Sequence, residues 1–355
     1  MLSKKPGKVI RIKSENDQIQ DLIVEVEGKE YRAYNYIGLT GLAKIGDNLI
    51  LNTTAVELSL GTGGSHFVIL NEDNKTSKYH DGGHIMKMRY TPIQIKVDAV
   101  EEQGSPYHDI INKFETLDGM PVAIGALHSI LQPFSATYKK INPDKKLVYI
   151  MTDSAALPIS FSKNVENLKK IGLIDNTITY GSAFGGDYEC INIYTALITA
   201  KEICKADCVL VAMGPGIAGT GTKYGFSGID QATIIDAVDI LGGQSFFIPR
   251  ISFADARQRH QGISHHSLTI LGQIANRKTK IVFNSLYEKE KLDIIKNQIK
   301  INFIDKKHEI YFEEYVDTKN DLDKYSLKVS TMGRKFEEDQ EFFEAASVVA
   351  YFISK

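Results

Sequence analysis

The sequence predicts an α/β protein: a small N-terminal β barrel or sandwich followed by a doubly wound, mainly parallel α/β sheet. Up to about residue 105, short runs alternate between apolar and polar residues, which is typical of a small all-β domain. Beyond that point, apolar runs alternate with stretches of helical periodicity, which predicts a parallel sheet with right-handed crossovers. A length of 355 residues suits two domains.

The predicted all-β domain covers residues 1–104. Turn signals such as Glu27-Gly28 and Gly46-Asp47 separate its candidate strands. These strands are KVIRIK, DLIVEV, KEYRAY, DNLILN, HFVIL and IQIKVDAV. A Gly-Ser-Pro step at 104–106 marks the predicted boundary.

The predicted second domain, residues 105–355, is Rossmann-like. Its candidate strands are Val122–Leu127, Leu147–Met151, Thr177–Tyr180, Cys208–Met213, Ser245–Ile248 and Lys280–Phe283. Ser129, Ser227 and Ser285 follow predicted strands and fit the Ser-x-x-acid/amide pattern of helix starts. Residues 339–355 place apolar side chains on one helical face, so we expect a C-terminal helix that docks on the body of the domain.

Composition narrows the classes of function. Lys+Arg 42 against Asp+Glu 44 gives a net charge of −2, which argues against general binding of nucleic acid. No apolar run approaches the ~20 residues of a membrane span, and no apolar stretch of a signal peptide follows the basic start. Three cysteines without a CxxC spacing favour reduced, buried thiols. We therefore expect a cytoplasmic protein with no membrane or nucleic-acid partner.

The glycine-rich stretch MGPGIAGTGTKYGFSG, residues 213–228, follows a predicted strand and is called the glycine loop below. The loop contains G-x-G-x-x-G, but no helix opens within the motif, as dinucleotide binding requires. It also does not fit the phosphate-binding Walker motif G-x-x-x-x-G-K-[ST], because Thr222 separates the second glycine from Lys223. Two interpretations stay open, a plain surface loop and a cradle for an anion. The candidate ligand-binding residues here are Gly214, Gly216, Gly219, Thr220, Thr222 and Lys223.

Other polar residues follow predicted strands at the same sheet edge, where ligands bind in open parallel sheets. Asp153 directly follows a strand and has no adjacent helix to cap, so it is a candidate catalytic residue. Asp187 is interpreted as the cap of a helix beginning YECINIY.

The segment FADARQRHQGISHHSLTILG, residues 253–272, is the second polar-rich stretch. Arg257 and Arg259 suit the recognition of an oxyanion, and Asp255, His260 and His265 are candidates for acid–base chemistry. Adjacent helical residues diverge by ~100°, so we expect at most one of the two helix-opening histidines to face the site. No zinc-type spacing is present, and a structural loop is the alternative interpretation.

His80-Asp-Gly-Gly-His84 could reach one cation, but a tight glycine turn with exposed polar side chains explains the same residues better.

Four segments resemble the signature regions of a bacterial family of unknown function, number 3866. They are LNTTAVELSLGTGGSHFVIL (51–70), HDGGHIMKMRYTPIQ (80–94), GTKYGFSG (221–228) and ISFADARQRHQGISHHSLTILG (251–272). The resemblance implies a soluble bacterial protein whose two domains form one unit, and it assigns no role to any residue.

The sequence therefore predicts that strand-end loops of the α/β domain bind an anionic small molecule bearing phosphate or carboxylate. Acid–base, hydrolytic or transfer chemistry by Asp153, Asp255, His260 or His265 is left open, as are cofactor and metal. The alternative is a non-catalytic sensor or assembly protein whose β domain mediates docking or homo-oligomerisation.

Overall fold

The computed structural model describes residues 2–60, 64–74, 82–315 and 317–355. The chain forms two compact units: Met1–Gly82 with Met88–Ile95, and Gly83–Lys87 with Lys96–Lys355. We call them the barrel unit and the α/β unit. The domain boundary that we place at residues 104 and 105 stays a prediction.

The barrel unit contains a closed five-stranded barrel, which confirms the predicted N-terminal β architecture. Its strands are β1 (Lys4–Glu15), β2 (Ile19–Val26), β3 (Lys29–Tyr36), β4 (Asn48–Asn52) and β5 (Ser65–Asn71), with single-turn helices α1 (Ile37–Thr40) and α2 (Thr54–Glu57). The strand order around the barrel is β1-β2-β3-β5-β4. The pair β3–β5 is parallel and the other pairs are antiparallel.

Apolar side chains fill the barrel, because the strands alternate apolar with polar residues and successive side chains of a strand point to opposite faces. Leu22 and Val24 of β2, Ala33 of β3, and Leu49 and Leu51 of β4 lie in its buried core. The alternation read from the sequence therefore identifies the inward face of these strands.

The α/β unit contains the remaining elements, except that Ile95, the first residue of one strand, belongs to the barrel unit. The strands are β6 (Ile85–Lys87), β7 (Ile95–Val97), β8 (Pro121–Gly125), β9 (Leu147–Thr152), β10 (Asn176–Tyr180), β11 (Tyr188–Cys190), β12 (Cys208–Met213), β13 (Gln244–Ile248), β14 (Ile251–Ser252), β15 (Gly262–Ile263), β16 (Lys280–Asn284), β17 (Glu309–Glu313), β18 (Ser330–Thr331) and β19 (Arg334–Lys335). The helices are α3 (His108–Asn112), α4 (Leu131–Ile141), α5 (Lys163–Lys170), α6 (Ile193–Glu202), α7 (Gln231–Ile240), α8 (His265–Thr269), α9 (Lys289–Ile301), α10 (Ile304–Lys307), α11 (Thr318–Lys324) and α12 (Gln340–Ile353), and a π-helical stretch, Ile270–Ile274, continues α8.

Eight of these strands form one all-parallel sheet in the order β11-β10-β9-β12-β8-β13-β16-β17. The predicted α/β class is thereby confirmed. Strands such as Leu147–Thr152 and Cys208–Met213 are buried throughout, as expected when helices cover both faces of a sheet.

Helices on opposite faces of the sheet bury two apolar cores. One core packs α4, α5 and α12 on one face, and the other packs α6, α7 and α9 on the opposite face. The chain leaves β8 and β9 toward the first face but leaves β12, which lies between them, toward the second. Loops therefore diverge at the carboxyl end of β12, where open α/β sheets place their ligands.

Several local predictions are wrong. Asp187 does not cap a helix, because Tyr188–Cys190 is an edge strand and helix α6 begins at Ile193 behind the capping side chain of Asn192. The Asp187 carboxylate instead accepts hydrogen bonds from Thr177.

The three Ser-x-x caps are also not formed. No side-chain cap is present at the starts of the 3₁₀ turns that contain Ser129 and Ser227, or at helix α9 after Ser285. The hydroxyl of Ser227 instead accepts from the backbone N–H of Ala218 within the glycine loop.

Among the described residues, no helix is both long enough and apolar enough to cross a membrane.

Candidate functional site

An arm that follows strand β13 carries the arginine- and histidine-rich segment. Strands β14 and β15 pair antiparallel and close the base of this arm, with Ile251 opposite Ile263. Gln298 of α9 accepts from the backbone N–H of Ile263 at 2.8 Å and donates to the carbonyl of Gln261 at 2.9 Å. The arm is therefore fixed at its base by the sheet edge and by a neighbouring helix.

Three guanidinium groups surround the buried carboxylate of Asp255. Arg257 donates to it from Nε at 2.9 Å and from Nη2 at 2.7 Å, and its backbone N–H donates at 3.0 Å, which closes an Asx-type turn. Nη2 of Arg250 donates at 3.1 Å, and Nη2 of Arg334 lies 3.7 Å away. Asp255 therefore holds together residues from two distant parts of the chain.

Arg334 reaches this position from a tight hairpin between β18 and β19. Met332 and Gly333 both have positive φ, 48° and 82°, as a type I′ turn requires. Arg334 donates from Nε to Asp339 at 2.8 Å, and Asp339 directly precedes helix α12. The hairpin thus brings a third arginine and a second buried carboxylate to the arm.

Three histidine rings lie beside these arginines. Ring centroids are 5.0 Å apart for His260 and His265, 4.2 Å for His265 and His266, and 5.3 Å for His260 and His266. Phe226, at the end of the glycine loop, stacks on His266 at 4.1 Å. Both helix-opening histidines therefore lie in one group with His260, and the expectation that at most one of them faces a ligand stays a prediction.

We call this set the arginine–histidine cluster. It consists of Arg250, Asp255, Arg257, Arg259, His260, His265, His266, Arg334 and Asp339.

The cluster keeps its histidines neutral near pH 7. Burial and then the charges of Arg250 and Arg257 lower the pKa of His260 to about 4. Burial and its two histidine neighbours lower the pKa of His266 to about 3. Burial, with Arg259 next, also lowers the pKa of His265. Neutral imidazoles can donate one hydrogen bond, accept another, or take up a proton.

Two ring nitrogens of the cluster are buried without a hydrogen-bond partner in the described part of the chain. They are Nε2 of His265 and Nδ1 of His266. Nδ1 of His260, by contrast, lies 2.7 Å from the hydroxyl of Ser264. Buried polar atoms are nearly always paired, so the two unpaired nitrogens indicate a place where a further polar group fits.

The glycine loop passes directly over the cluster. A Cβ built on Gly219 would lie 3.5 Å from Cε1 and 3.6 Å from Nε2 of His266, and one built on Gly221 would lie 3.9 Å from the Arg259 guanidinium. Gly221 has φ of 77°, which favours glycine. A side chain at either position would therefore begin in van der Waals contact with the residues below the loop.

The remaining predicted ligand-binding residues of the loop have other contacts. The hydroxyls of Thr220 and Thr222 lie 2.8 Å apart, and Thr220 also donates to the carbonyl of Gly225 at 3.1 Å. The ammonium of Lys223 lies 5.4 Å from the ring centroid of Tyr224.

At the base of the loop, a Cβ on Gly214 would lie 2.5 Å from the carbonyl oxygen of Ala156, whereas nothing lies within 4 Å of one on Gly216. Tight packing at the first glycine and open space at the second fix the point at which the loop leaves the sheet.

Asp153 belongs to a second polar group at the same sheet edge. Its Oδ2 accepts from the backbone N–H of Ser182 at 3.1 Å, and Ser154 hydrogen-bonds to Asp230. Burial, with the nearby charge of Asp153 contributing less, raises the pKa of Asp230. Among the described residues, no hydrogen bond or ion pair joins Asp153 to the arginine–histidine cluster. The predicted site residues therefore fall into two groups.

Metal binding finds no geometric support in the described ranges, which contain no group of three or more His, Cys, Asp or Glu side chains placed to hold an ion. Cys190, Cys204 and Cys208 are free and buried. Of the His80–His84 turn, His80 lies outside the described residues, and the backbone N–H of His84 donates to Glu102 at 2.7 Å.

Four residues of the arginine–histidine cluster are not among the site residues predicted from the sequence: Arg250, His266, Arg334 and Asp339. Arg250 and His266 lie in or next to the predicted segment, and their burial is the signal that only a structure supplies. Arg334 and Asp339 are remote in sequence and belong to no motif.

Comparison with known proteins identifies the family. The family described as "Protein of unknown function (DUF3866)" matches residues 32–350, so the chain belongs to it. The match begins within β3 of the barrel and ends within α12. Neither the curated proteins nor the solved structures provide a match.

Proposed function

We propose that the α/β unit binds an anionic small molecule, bearing phosphate or carboxylate, between the glycine loop and the arginine–histidine cluster. The observation that carries this proposal is the convergence of three guanidinium groups on the single buried carboxylate of Asp255. Burial lowers the pKa of Arg250 most, and the charges of Arg257 and Arg334 lower it further, while Asp255 and Asp339 raise it. A bound anion would add negative charge beside these arginines.

The glycine loop forms the other wall of the proposed site. Gly219 and Gly221 lie against His266 and Arg259, so an anion beside the loop would meet a guanidinium and an imidazole. Arg259 is exposed, and the described residues give it no hydrogen bond or ion pair, which leaves its donors free for a ligand.

Chemistry at this site would use the neutral histidines. His260 and His265 have lowered pKa values, so their unprotonated rings could accept a proton from a ligand near pH 7. Asp255 is a poor candidate for proton transfer, because hydrogen bonds from Arg257 hold its pKa well below the usual range. We therefore assign Asp255 a positioning role, and Asp153 remains a candidate for chemistry at the second polar group.

Ligand-induced stabilisation tests the proposal. We expect inorganic phosphate, sulfate, citrate or acetate to raise the melting temperature of the full chain, since a ligand at a hundredfold its Kd stabilises by about 2.7 kcal/mol. Gly219→Leu should abolish this response by filling the space against His266. Gly104→Leu is the matched control, because Gly104 is also exposed, lacks a positive φ and has nothing within 4 Å of its Cβ position.

Two results would count against the site. One is the absence of stabilisation by any of the four anions. The other is an unchanged response in Gly219→Leu.

A further inference from the structure

Helix α9 carries apolar side chains on two faces. Its inner face buries Ile295 and Ile299 in one of the two cores beside the sheet. Ile294 and Ile301 lie seven residues apart and therefore share the outer side of the helix, where they are 44% and 62% exposed. Among the described residues, only the inner face of α9 is fully covered.

Another exposed apolar residue follows directly beyond the helix. Phe303 comes after the cap residue Asn302 and is 58% exposed. Its backbone is left-handed, with φ of 55° and ψ of 29°, a conformation that helix ends usually give to glycine. A phenylalanine that is both strained and exposed gains little inside the chain, which indicates a contact of this surface with something outside it.

Opposite charges lie at the two ends of the exposed side of α9. Asp293 and Lys300 are seven residues apart on one flank of the apolar stripe, and both are exposed. The described residues give neither of them an ion pair. Lys291 is already paired with Glu341, and the ammonium of Lys296 lies over the ring of Phe312. Asp293 and Lys300 are therefore available to a partner.

This pattern is complementary to a second copy of itself. In two α9 helices packed antiparallel about a two-fold axis near Asn297, Ile294 of each copy meets Ile301 of the other. Asp293 then comes within one helical turn of Lys300 of the other copy, and this pairing occurs twice. Each positive end of a helix dipole also lies beside a negative end. A parallel arrangement would instead place like charges level with one another.

We propose that the chain forms a homodimer through the exposed face of α9, with Ile294 and Ile301 at its centre. The proposal does not depend on the anion site. A helix of 13 residues spans about 20 Å, so one helix pair buries less area than a standard interface and the dimer is weak and concentration-dependent.

Sedimentation equilibrium of the full chain, from micromolar to sub-millimolar concentrations, tests this interface. We expect a reversible equilibrium of monomer and dimer. Ile301→Glu should weaken dimerisation by roughly tenfold or more, because it places a carboxylate in the apolar contact of both copies. Ile240→Glu is the matched control, since Ile240 is 56% exposed and ends α7 as Ile301 ends α9.

Charge reversal supplies the second measurement. Asp293→Lys should weaken the dimer, and Asp293→Lys combined with Lys300→Asp should restore it, because the facing charges are again opposite. A chain that is monomeric at every concentration would overturn the proposal, and so would equal dimerisation of Ile301→Glu and Ile240→Glu. A double variant that dimerises no better than Asp293→Lys would overturn the antiparallel arrangement on which the proposal rests.

Discussion

Two buried aspartates, one in each unit, are neutralised in different ways. In the barrel, Asp21 accepts two hydrogen bonds from the fork of Arg32, at 2.8 and 2.7 Å. In the α/β unit, three guanidinium groups lie 2.7 to 3.7 Å from Asp255. The barrel pair balances its own charge, whereas the group around Asp255 has a surplus. This surplus is why we place the ligand in the α/β unit.

An unpaired histidine nitrogen does not by itself distinguish the two regions. His66 in the barrel is also buried, with Nδ1 unpartnered among the described residues, and its ring lies 4.9 Å from that of Tyr31. The charges that act on His66 are those of Glu57 and Lys5, whereas arginines act on His265 and His266. We therefore base the proposed site on unpaired nitrogens that have arginines beside them, and not on unpaired nitrogens alone.

The largest expected effect comes from neutralising the two aspartates. Asp255→Asn should destabilise the chain by about 3–5 kcal/mol, because it leaves the buried guanidinium group of Arg250 without its carboxylate. Asp21→Asn should cost less, about 1–2 kcal/mol, because the side chain of Arg32 is 33% exposed and water can solvate it. Urea unfolding followed by circular dichroism at pH 7 measures both.

A loss in Asp21→Asn that equals or exceeds that of Asp255→Asn would remove the distinction between the two aspartates. Added phosphate makes the test sharper. It should stabilise Asp255→Asn, and it should stabilise Asp21→Asn by no more than it stabilises the unmodified chain.

The second-largest expected effect is a fall in the free energy of unfolding as the pH falls from about 7 to 5. The pKa values of His260 and His266, about 4 and about 3, lie below the ordinary value near 6.5. The unfolded chain therefore binds more protons in this window, so the stabilising contribution is present above pH 6.5 and is lost as pH falls toward the folded pKa values. Unfolding free energies at pH 7 and pH 5 give the slope.

His266→Gln should flatten this dependence, because it removes one of the groups that the unfolded chain protonates more readily. The same slope in the variant would show that His266 is not responsible. His66→Gln in the barrel is the comparison for a buried histidine, and it should also flatten the dependence, because burial lowers the pKa of His66.

The smallest expected effect concerns the tip of the glycine loop. Lys223→Ala should change phosphate affinity by less than about threefold, because an exposed ammonium over a tyrosine ring contributes little. Titration calorimetry on Lys223→Ala beside Arg259→Gln gives the comparison. A phosphate affinity that falls more than about threefold in Lys223→Ala would move the anion from Gly219 and Gly221 to the tip of the loop.

The inner strands of the eight-stranded sheet could be predicted from the sequence, whereas its two edge strands could not. All six apolar runs predicted as strands after residue 105 lie in the eight-stranded sheet, because buried parallel strands are continuously apolar. The two strands that were missed, Tyr188–Cys190 and Glu309–Glu313, form the two edges of the sheet. Edge strands are partly solvated and mix polar with apolar residues, so periodicity does not reveal them.

Residues of the candidate site could be predicted from the sequence only where they are close together in the chain. Arg257, Arg259, His260 and His265 share one segment with chemically suggestive composition, and the structure groups them. Arg334 enters from a separate hairpin, and no local pattern could predict that it lies 3.7 Å from Asp255. The prediction that Thr220 and Thr222 bind a ligand rests on residue type alone, and their hydroxyls hydrogen-bond within the loop.

The most direct test of the account is nitrogen-15 NMR of the histidine rings, recorded while inorganic phosphate is added to the full chain. We predict that the ring resonances of His265 and His266 shift with phosphate and that the pKa of each rises, because a bound anion favours the protonated ring. The resonances of His66 should stay unchanged. Rings of His265 and His266 that do not respond to phosphate, or respond no more than His66, would contradict the account.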